Sequence, residues 1–290
     1  MDTRRLLQSA SHAVALTFGF ADPALAALFW SDGFDYADGQ LTDSEFGGAP
    51  GDNVSGGTWT AHSGDTFDDN VAVTGSQVQV LNSGSEDVNR LTGSTMGPGD
   101  KYYFAAKLLV NFTGTAGDAI NNDYFLHLKG GAFGFRGRIY LDNPNVAGSG
   151  YTLGLSATSG GQVAKWATDL SFGAPQIVVG SYDFDSGESR LWVNPAGSSS
   201  TSLADTGGAL TAIGAVAFRQ DFITPGTPNN EILIDHVAVG SDFDSVLGAV
   251  SAPIPEPSGA PSLDYRRLTD RAGPLPPVNR RTAMSRLHGD

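Results

Sequence analysis

Between residues 127 and 140 the chain places His127, Lys129, Arg136, Arg138 and Tyr140 close together. An imidazole moves protons near neutral pH, an ammonium attracts anions, and a guanidinium offers a planar fork to carboxylates and hydroxyls. If both segments are strands, His127 and Lys129 alternate onto one face, and Arg136, Arg138 and Tyr140 share one face of the next strand. Gly130-Gly131 supplies a short turn between them, so the two strands are expected to pair. One sheet surface then carries all five side chains. Either they neutralise nearby acids across strands, or they form a concave face for glycan hydroxyls or uronates.

The carboxylates suggest other chemistry. Asp183-Phe-Asp185-Ser-Gly-Glu188 could supply a pair of acids for glycosidic bond cleavage, which needs two carboxylates about 5.5 Å apart on one strand face. Asp185-Ser-Gly187 is, however, a hairpin-turn signal, so Asp183 and Glu188 are expected on opposite arms. Asp65, Asp68 and Asp69, followed by Asn70, crowd one loop, and Asp118, Asn121, Asn122 and Asp123 crowd another. Oxygen ligands of this kind suit a structural calcium, with Asp65, Asp68 and Asp69 as the candidate metal ligands. Asp and Asn are also simply good turn residues, and no loop has EF-hand spacing.

Trp30, Trp59, Trp166 and Trp192 are the four tryptophans. Trp192 lies between Leu191 and Val193 and must face away from them; if those two point to the core, Trp192 sits on an outer face and is a candidate sugar platform. Trp30 and Trp59 are expected to pack. His62, His127 and His236 have no metal-site spacing, and no Ser-His-Asp order or strand–helix nucleophile elbow occurs. No catalytic residue is assigned.

These groups need strands to position them, and the composition supplies strands. Of 290 residues only 17% are charged, and 38 are glycine, a composition of short strands and tight turns. Tyr102, Phe104, Ala106, Leu108, Val110 and Phe112 alternate along one stretch; Tyr124, Leu126 and Leu128 along another; Phe133, Phe135, Ile139 and Leu141 along a third. Further strands are expected at 151–155, 177–179, 191–193, 213–218 and 232–239. No amphipathic helix with caps is expected. The fold class is all-β, an antiparallel two-sheet jelly-roll sandwich, with its first and last strands near one another.

The ends read differently from the middle. Arg4 and Arg5, the apolar stretch 13–20 and Ala24-Leu25-Ala26 have the layout of a signal peptide over 1–26, which implies secretion or display at the cell surface. Residues 252–290 are Pro- and Arg-rich without apolar periodicity and are expected to be disordered. The domain is then 27–251, with 25 acids against 9 bases. That excess of negative charge argues against nucleic acid as a partner. No cysteine is present, which excludes disulfides and thiol chemistry.

Several strings occur together in order: Phe34-Asp-Tyr-Ala-Asp-Gly39, Glu86-Asp-Val-Asn-Arg90, Asp123-Tyr-Phe-Leu-His-Leu128, Phe135-Arg-Gly-Arg138, Tyr151-Thr-Leu-Gly-Leu155, Leu191-Trp-Val-Asn-Pro195 and Ile234-Asp-His-Val-Ala-Val-Gly240. The set resembles secreted bacterial proteins with a concanavalin-like, laminin-G-like jelly roll, over roughly 28–248. Pro255-Glu-Pro-Ser258 resembles the start of a PEP-CTERM sorting signal, but the apolar span that follows it in that signal is missing, so membrane anchoring is not supported. The resemblance implies a non-catalytic carbohydrate-binding or matrix domain. The alternatives are a jelly-roll glycoside hydrolase or polysaccharide lyase, and a purely structural surface protein.

Overall fold

The alternating segments do become strands. The computed structural model describes residues 28–42, 53–64, 70–81, 84–112, 123–131, 134–158, 161–210, 212–220 and 231–252. The expected signal peptide, the Asp65–Asp69 loop, Asp118, Asn121, Asn122, Phe133 and the tail beyond Ala252 lie outside these residues. The strands are β1 Leu28–Asp32, β2 Gly39–Gln40, β3 Thr60–Ser63, β4 Ala72–Thr74, β5 Gln77–Leu81, β6 Asp87–Met96, β7 Lys101–Asn111 and β8 Asp123–Gly130. They continue as β9 Gly134–Asp142, β10 Thr152–Ser156, β11 Ala164–Lys165, β12 Gln176–Asp183, β13 Glu188–Val193, β14 Leu203–Thr206, β15 Ile213–Arg219 and β16 Glu231–Gly240. One helix, α1 Phe243–Ser251, follows.

Two antiparallel sheets stack into the jelly-roll sandwich. Sheet A runs β14-β13-β12-β7-β16-β5-β4-β2, with β1 also paired to β16. Sheet B runs β11-β10-β9-β8-β15-β6-β3. The pairing of β1 with β16, Trp30 opposite Val239, brings the first and last strands together as expected. Tyr102, Phe104, Ala106, Leu108 and Val110 of β7 all face the core, as their alternation requires. From sheet B, Leu126, Leu128, Val216 and Phe218 close the same core. Each such fully buried side chain contributes about 1.5–3 kcal/mol relative to leaving it in water. The tip of the Phe104 ring lies against β12 at Gly180, where a Cβ would meet it at 2.1 Å; only glycine lets the ring approach that strand.

The end of the sandwich near β1 is tied by a carboxylate. Asp32 accepts hydrogen bonds from the Phe34 amide, the Tyr36 hydroxyl and the Trp59 indole, and pairs with Arg90 at 2.6 Å. Trp59 stacks on Phe218 at 4.8 Å, so Trp59 is packing, as expected. Arg90 lies over the Trp30 ring at 4.1 Å.

Helix α1 corrects the all-strand expectation for the domain. Asp242 caps it, accepting from the Ser245 amide at 2.9 Å, and Phe243, Val246 and Val250 form a buried stripe at i, i+3 and i+7. The stripe lies on the outer face of sheet A against Ala105, Val179, Trp192 and Ala238.

Candidate functional site

The outer face of sheet B follows from what the core takes. Val88 faces inward on β6, so Asp87 and Asn89 face outward; Val216 and Phe218 face inward on β15, so Ala217 and Arg219 face outward. On β8, Leu126 and Leu128 take the core, and His127 and Lys129 take the outer face as expected.

Two β-bulges change the rest of the pattern. Along β8 and β9, Tyr124 pairs with Tyr140 but Leu126 pairs with Ile139, so β8 has one extra residue there. Tyr124 therefore leaves the face of Leu126 and Leu128, and its ring meets His127 at 5.2 Å and Tyr140 at 5.8 Å. A second bulge falls between Leu126↔Ile139 and Leu128↔Arg136, now with the extra residue on β9, at Gly137, whose φ is 55°. An extra residue reverses the alternation on either side of it.

The second bulge corrects two expectations. Phe135 does not join Ile139 and Leu141 but turns outward, its ring 4.6 Å from His127. Arg136 does not share a face with Arg138 and Tyr140. Its Nε and Nη2 donate to the Gly208 carbonyl at 3.0 and 2.9 Å, and its Nη1 donates to the Phe135 carbonyl at 2.8 Å. Arg136 thus fastens the loop after β14 instead of contributing to the cationic face.

The face that results contains His62, Asp87, Asn89, Tyr124, His127 and Lys129, with Phe135, Arg138, Tyr140 and Arg219 beside them. The Arg138 guanidinium lies 4.2 Å over the Tyr124 ring and 5.1 Å over Phe135, and hydrogen-bonds Tyr140. Arg138 is only 7% exposed, so it supports the rings from within rather than standing out as a surface cation. Arg219 lies over the same Tyr124 ring at 4.7 Å and pairs with Asp123 at 2.7 Å. Lys129 Nζ donates to Asn89 Oδ1 at 2.8 Å. Of the nine Lys and Arg among the described residues, six pair with a carboxylate. Lys129 and Arg136 instead use neutral oxygens.

His127 lies fully buried beneath this layer, and neither ring nitrogen has a hydrogen-bond partner among the described residues. Burial first, then the charges of His62, Arg138, Arg219 and Lys129, hold its pKa well below the usual histidine value, so the ring is neutral. His62, with its ring 6.5 Å away, is pushed down to about 4 by burial and then by Lys129. Burial raises Asp87 to about 6 and also raises Tyr124 and Tyr140. Buried polar groups without partners are costly and uncommon, and they concentrate where a fold serves something other than its own stability. The arrangement combines half-buried rings, fixed cations and neutral imidazoles on one face, which suits a hydroxyl-rich anion.

The remaining expected site residues go elsewhere. Trp192 does lie on an outer face, opposite Leu191 and Val193, but it belongs to sheet A and α1 covers it. It is 5% exposed and meets Phe243 at 5.0 Å, so it offers no platform to a ligand. Asp183 and Glu188 stand on opposite arms of the β12–β13 turn. Asp183 accepts from the Asp185 and Ser186 amides and pairs with Lys101; Glu188 pairs with Arg190. No group of three or more His, Asp or Glu poised to hold a metal occurs among the described residues. Of the first Asp-rich loop only Asn70 is described, and its Oδ1 is buried without a hydrogen-bond partner among the described residues. Of the second loop, Asp123 is committed to Arg219. Tyr124, Phe135, His62 and Asn89 were not expected at the site, because bulges and long-range strand pairing bring them there.

No family model and no curated protein sequence matches the chain. Solved structures of similar shape include an alginate lyase in complex with an alginate tetrasaccharide, at 12% identity and a TM-score of 0.48, covering 75% of this chain and 99% of that one. Peanut lectin with a 9mer peptide is similar at 13% identity and a TM-score of 0.42, covering 65% of this chain and 94% of that one. The VIP36 exoplasmic/lumenal domain, in a form bound to Ca2+ and Man3GlcNAc, is similar at 12% identity and a TM-score of 0.40, covering 64% and 86%.

Proposed function

We propose that the chain is a secreted or cell-surface glycan-binding jelly roll, and that the outer face of sheet B receives an acidic polysaccharide. The observation that carries this reading is the layer of Arg138, Tyr124, Phe135 and Arg219 built over an unpartnered His127. In a chain with formal charge −14, this face sets Lys129, Arg219 and the buried Arg138 against Asp87 and Asp123, and that local excess of cations opposes the general field and favours a carboxylate-bearing ligand. Lys129, which pairs with no carboxylate among the described residues, supplies the reachable charge, Tyr124 and Phe135 supply rings for the apolar faces of sugar units, and Arg138 and the Asp123-paired Arg219 hold the rings in place. Calcium has a place only as a structural ion at the Asp65–Asn70 loop. It is tested by comparing melting temperature with and without a chelator.

The experiment is titration of the full chain with a polyuronate oligosaccharide and with a neutral glucan oligosaccharide of equal length. Selective binding of the polyuronate that weakens with added salt and with Lys129→Ala supports the proposal. Equal binding of both, or of neither, removes it.

One observation favours a second reading, a polysaccharide lyase. Tyr124 carries the Arg138 guanidinium over its ring at 4.2 Å and the His127 ring at 5.2 Å, which groups the residue types that proton abstraction beside a uronate carboxylate needs. Absorbance from an unsaturated uronate product, lost in His127→Gln, would establish it. Binding without product keeps the domain non-catalytic.

A further inference from the structure

The half of sheet A that α1 leaves uncovered ends in a cavity. Gln79 and Leu81 of β5, Glu231 of β16 and Asn111 of β7 point to the outer face there, because Val78, Val80, Val110 and Ile232 take the core. Glu231 stands in register between Leu81 and Asn111. These residues, with Phe112, Phe172 and Gly173, line a space of about 600 Å³.

The polar wall of this cavity is ordered. Asn111 Nδ2 donates to Glu231 Oε1 at 2.9 Å, and Gln79 Nε2 donates to Glu231 Oε2. Each carboxylate oxygen thus holds one amide hydrogen and keeps a second acceptor direction. Because each amide spends an N–H on Glu231, its carbonyl oxygen adds a further acceptor. The apolar wall is Phe112 stacked on Phe172 at 4.9 Å with 16° between planes, and the buried Tyr151 backs Phe172 from the core at 5.3 Å. The Gly173 amide is fixed to the Val110 carbonyl at 2.9 Å, which holds this loop against β7.

We infer that this cavity is a second binding site, for an uncharged pyranose presenting adjacent hydroxyls to Glu231 and an apolar ring face to Phe112. Hydrogen bonds from hydroxyls to a carboxylate are charge-assisted, and the pre-paired amides hold that carboxylate in one geometry before a ligand arrives. The stacked rings give the C–H face of the sugar a surface to rest on. None of the lining residues named is Lys, Arg or His, and the net charge of the chain is negative, so a uronate is disfavoured here. The site lies on the other sheet from the cationic face, selects against the ligand proposed there, and stands or falls independently of it.

The test uses the full chain and the methyl glycosides of glucose, mannose and galactose, titrated at millimolar concentrations and followed by saturation-transfer NMR. At least one glycoside binds, and Glu231→Gln and Phe112→Leu each weaken it about tenfold or more, the size expected for one lost charge-assisted bond or one lost ring platform. Phe112→Leu retains an apolar side chain where the ring packs, and an unchanged melting temperature verifies that the fold is intact. Lys129→Ala leaves the neutral glycoside bound, while weakening any uronate binding at the other face. The inference is overturned if none of the three glycosides binds, if binding survives both cavity variants, or if methylammonium displaces the sugar and binds in its place.

Discussion

The Arg138 guanidinium lies 4.2 Å above the Tyr124 ring, and Arg219 shares that ring at 4.7 Å. Two cations on one phenol ring are tolerable because the Asp123 carboxylate takes up the Arg219 charge at 2.7 Å and because the quadrupole of the ring is negative on its faces. Removing Tyr124 should therefore hurt twice. Tyr124→Ala is expected to lower stability by about 3 kcal/mol, as for truncation of a large partly buried aromatic, and to abolish polyuronate binding. Tyr124→Phe keeps the ring and should preserve both. Urea denaturation and calorimetric titration of the two variants check this.

Gly137 holds the bulge that turns Phe135 outward and Arg136 away. Its φ of 55° is costly for any residue with a Cβ, while the Cβ itself would find ordinary contacts at 3.6 Å or more. Gly137→Ala is expected to cost about 1 kcal/mol from backbone strain alone, without a steric term. A loss several times larger would mean that the register of β9 had moved.

Lowering the pH should weaken the fold through the histidines. His62, at about 4, and His127, further below its usual value, contribute stability that is complete above pH 6.5 and is lost as pH falls toward 4. Asp87, raised to about 6, acts the other way: its contribution is complete below its unfolded value and is lost as pH rises through 6. His236, also held below its usual value by burial, acts in the same direction, so three groups outweigh one and the denaturation midpoint should be lower at pH 5 than at pH 7. Asp87→Asn should steepen that loss and His62→Gln should shrink it. A midpoint that rises on acidification would contradict the assignment of neutral, buried imidazoles.

Asp32 of β1 joins four groups, two from the β1–β2 loop, one from β6 and one from the Trp59 segment. Asp32→Ala should destabilise by about 3–5 kcal/mol, because it strands Arg90 and the buried Trp59 indole. The same substitution should lower the Tyr36 pKa from about 12, since Asp32 is a cause of that shift after burial itself. Spectrophotometric titration of the tyrosines reads the second effect separately from the first.

Helix α1 covers Trp192 through Phe243 at 5.0 Å. Phe243→Ala should cost about 3 kcal/mol and shift tryptophan emission to longer wavelength as Trp192 meets water. It should leave binding on the sheet B face unchanged, because the helix packs on the other sheet.

The local pattern of the chain was enough to establish the class of fold and much of the core. The alternation of Tyr102 to Val110 places five side chains inside because a strand has a period of two and nothing interrupts β7. The turn at Asp185-Ser-Gly187 separates Asp183 from Glu188 for the same local reason, as expected. The pairing of β8 with β9 was also legible, since a short glycine turn permits little else. What the local pattern could not establish is where that period breaks. Bulges near Tyr124 and at Gly137 each add one residue to one strand, and one residue is enough to exchange the faces of Phe135 and Arg136. Nor does local spacing say what covers an outer face: Trp192 faces outward as its neighbours require, yet a helix some fifty residues later lies over it. Glu231 meets Gln79 across 152 positions, a contact that only the packing of β16 beside β5 creates. Period and turn chemistry are properties of neighbouring residues, whereas bulge placement, sheet order and cover depend on the free energy of the whole packed core.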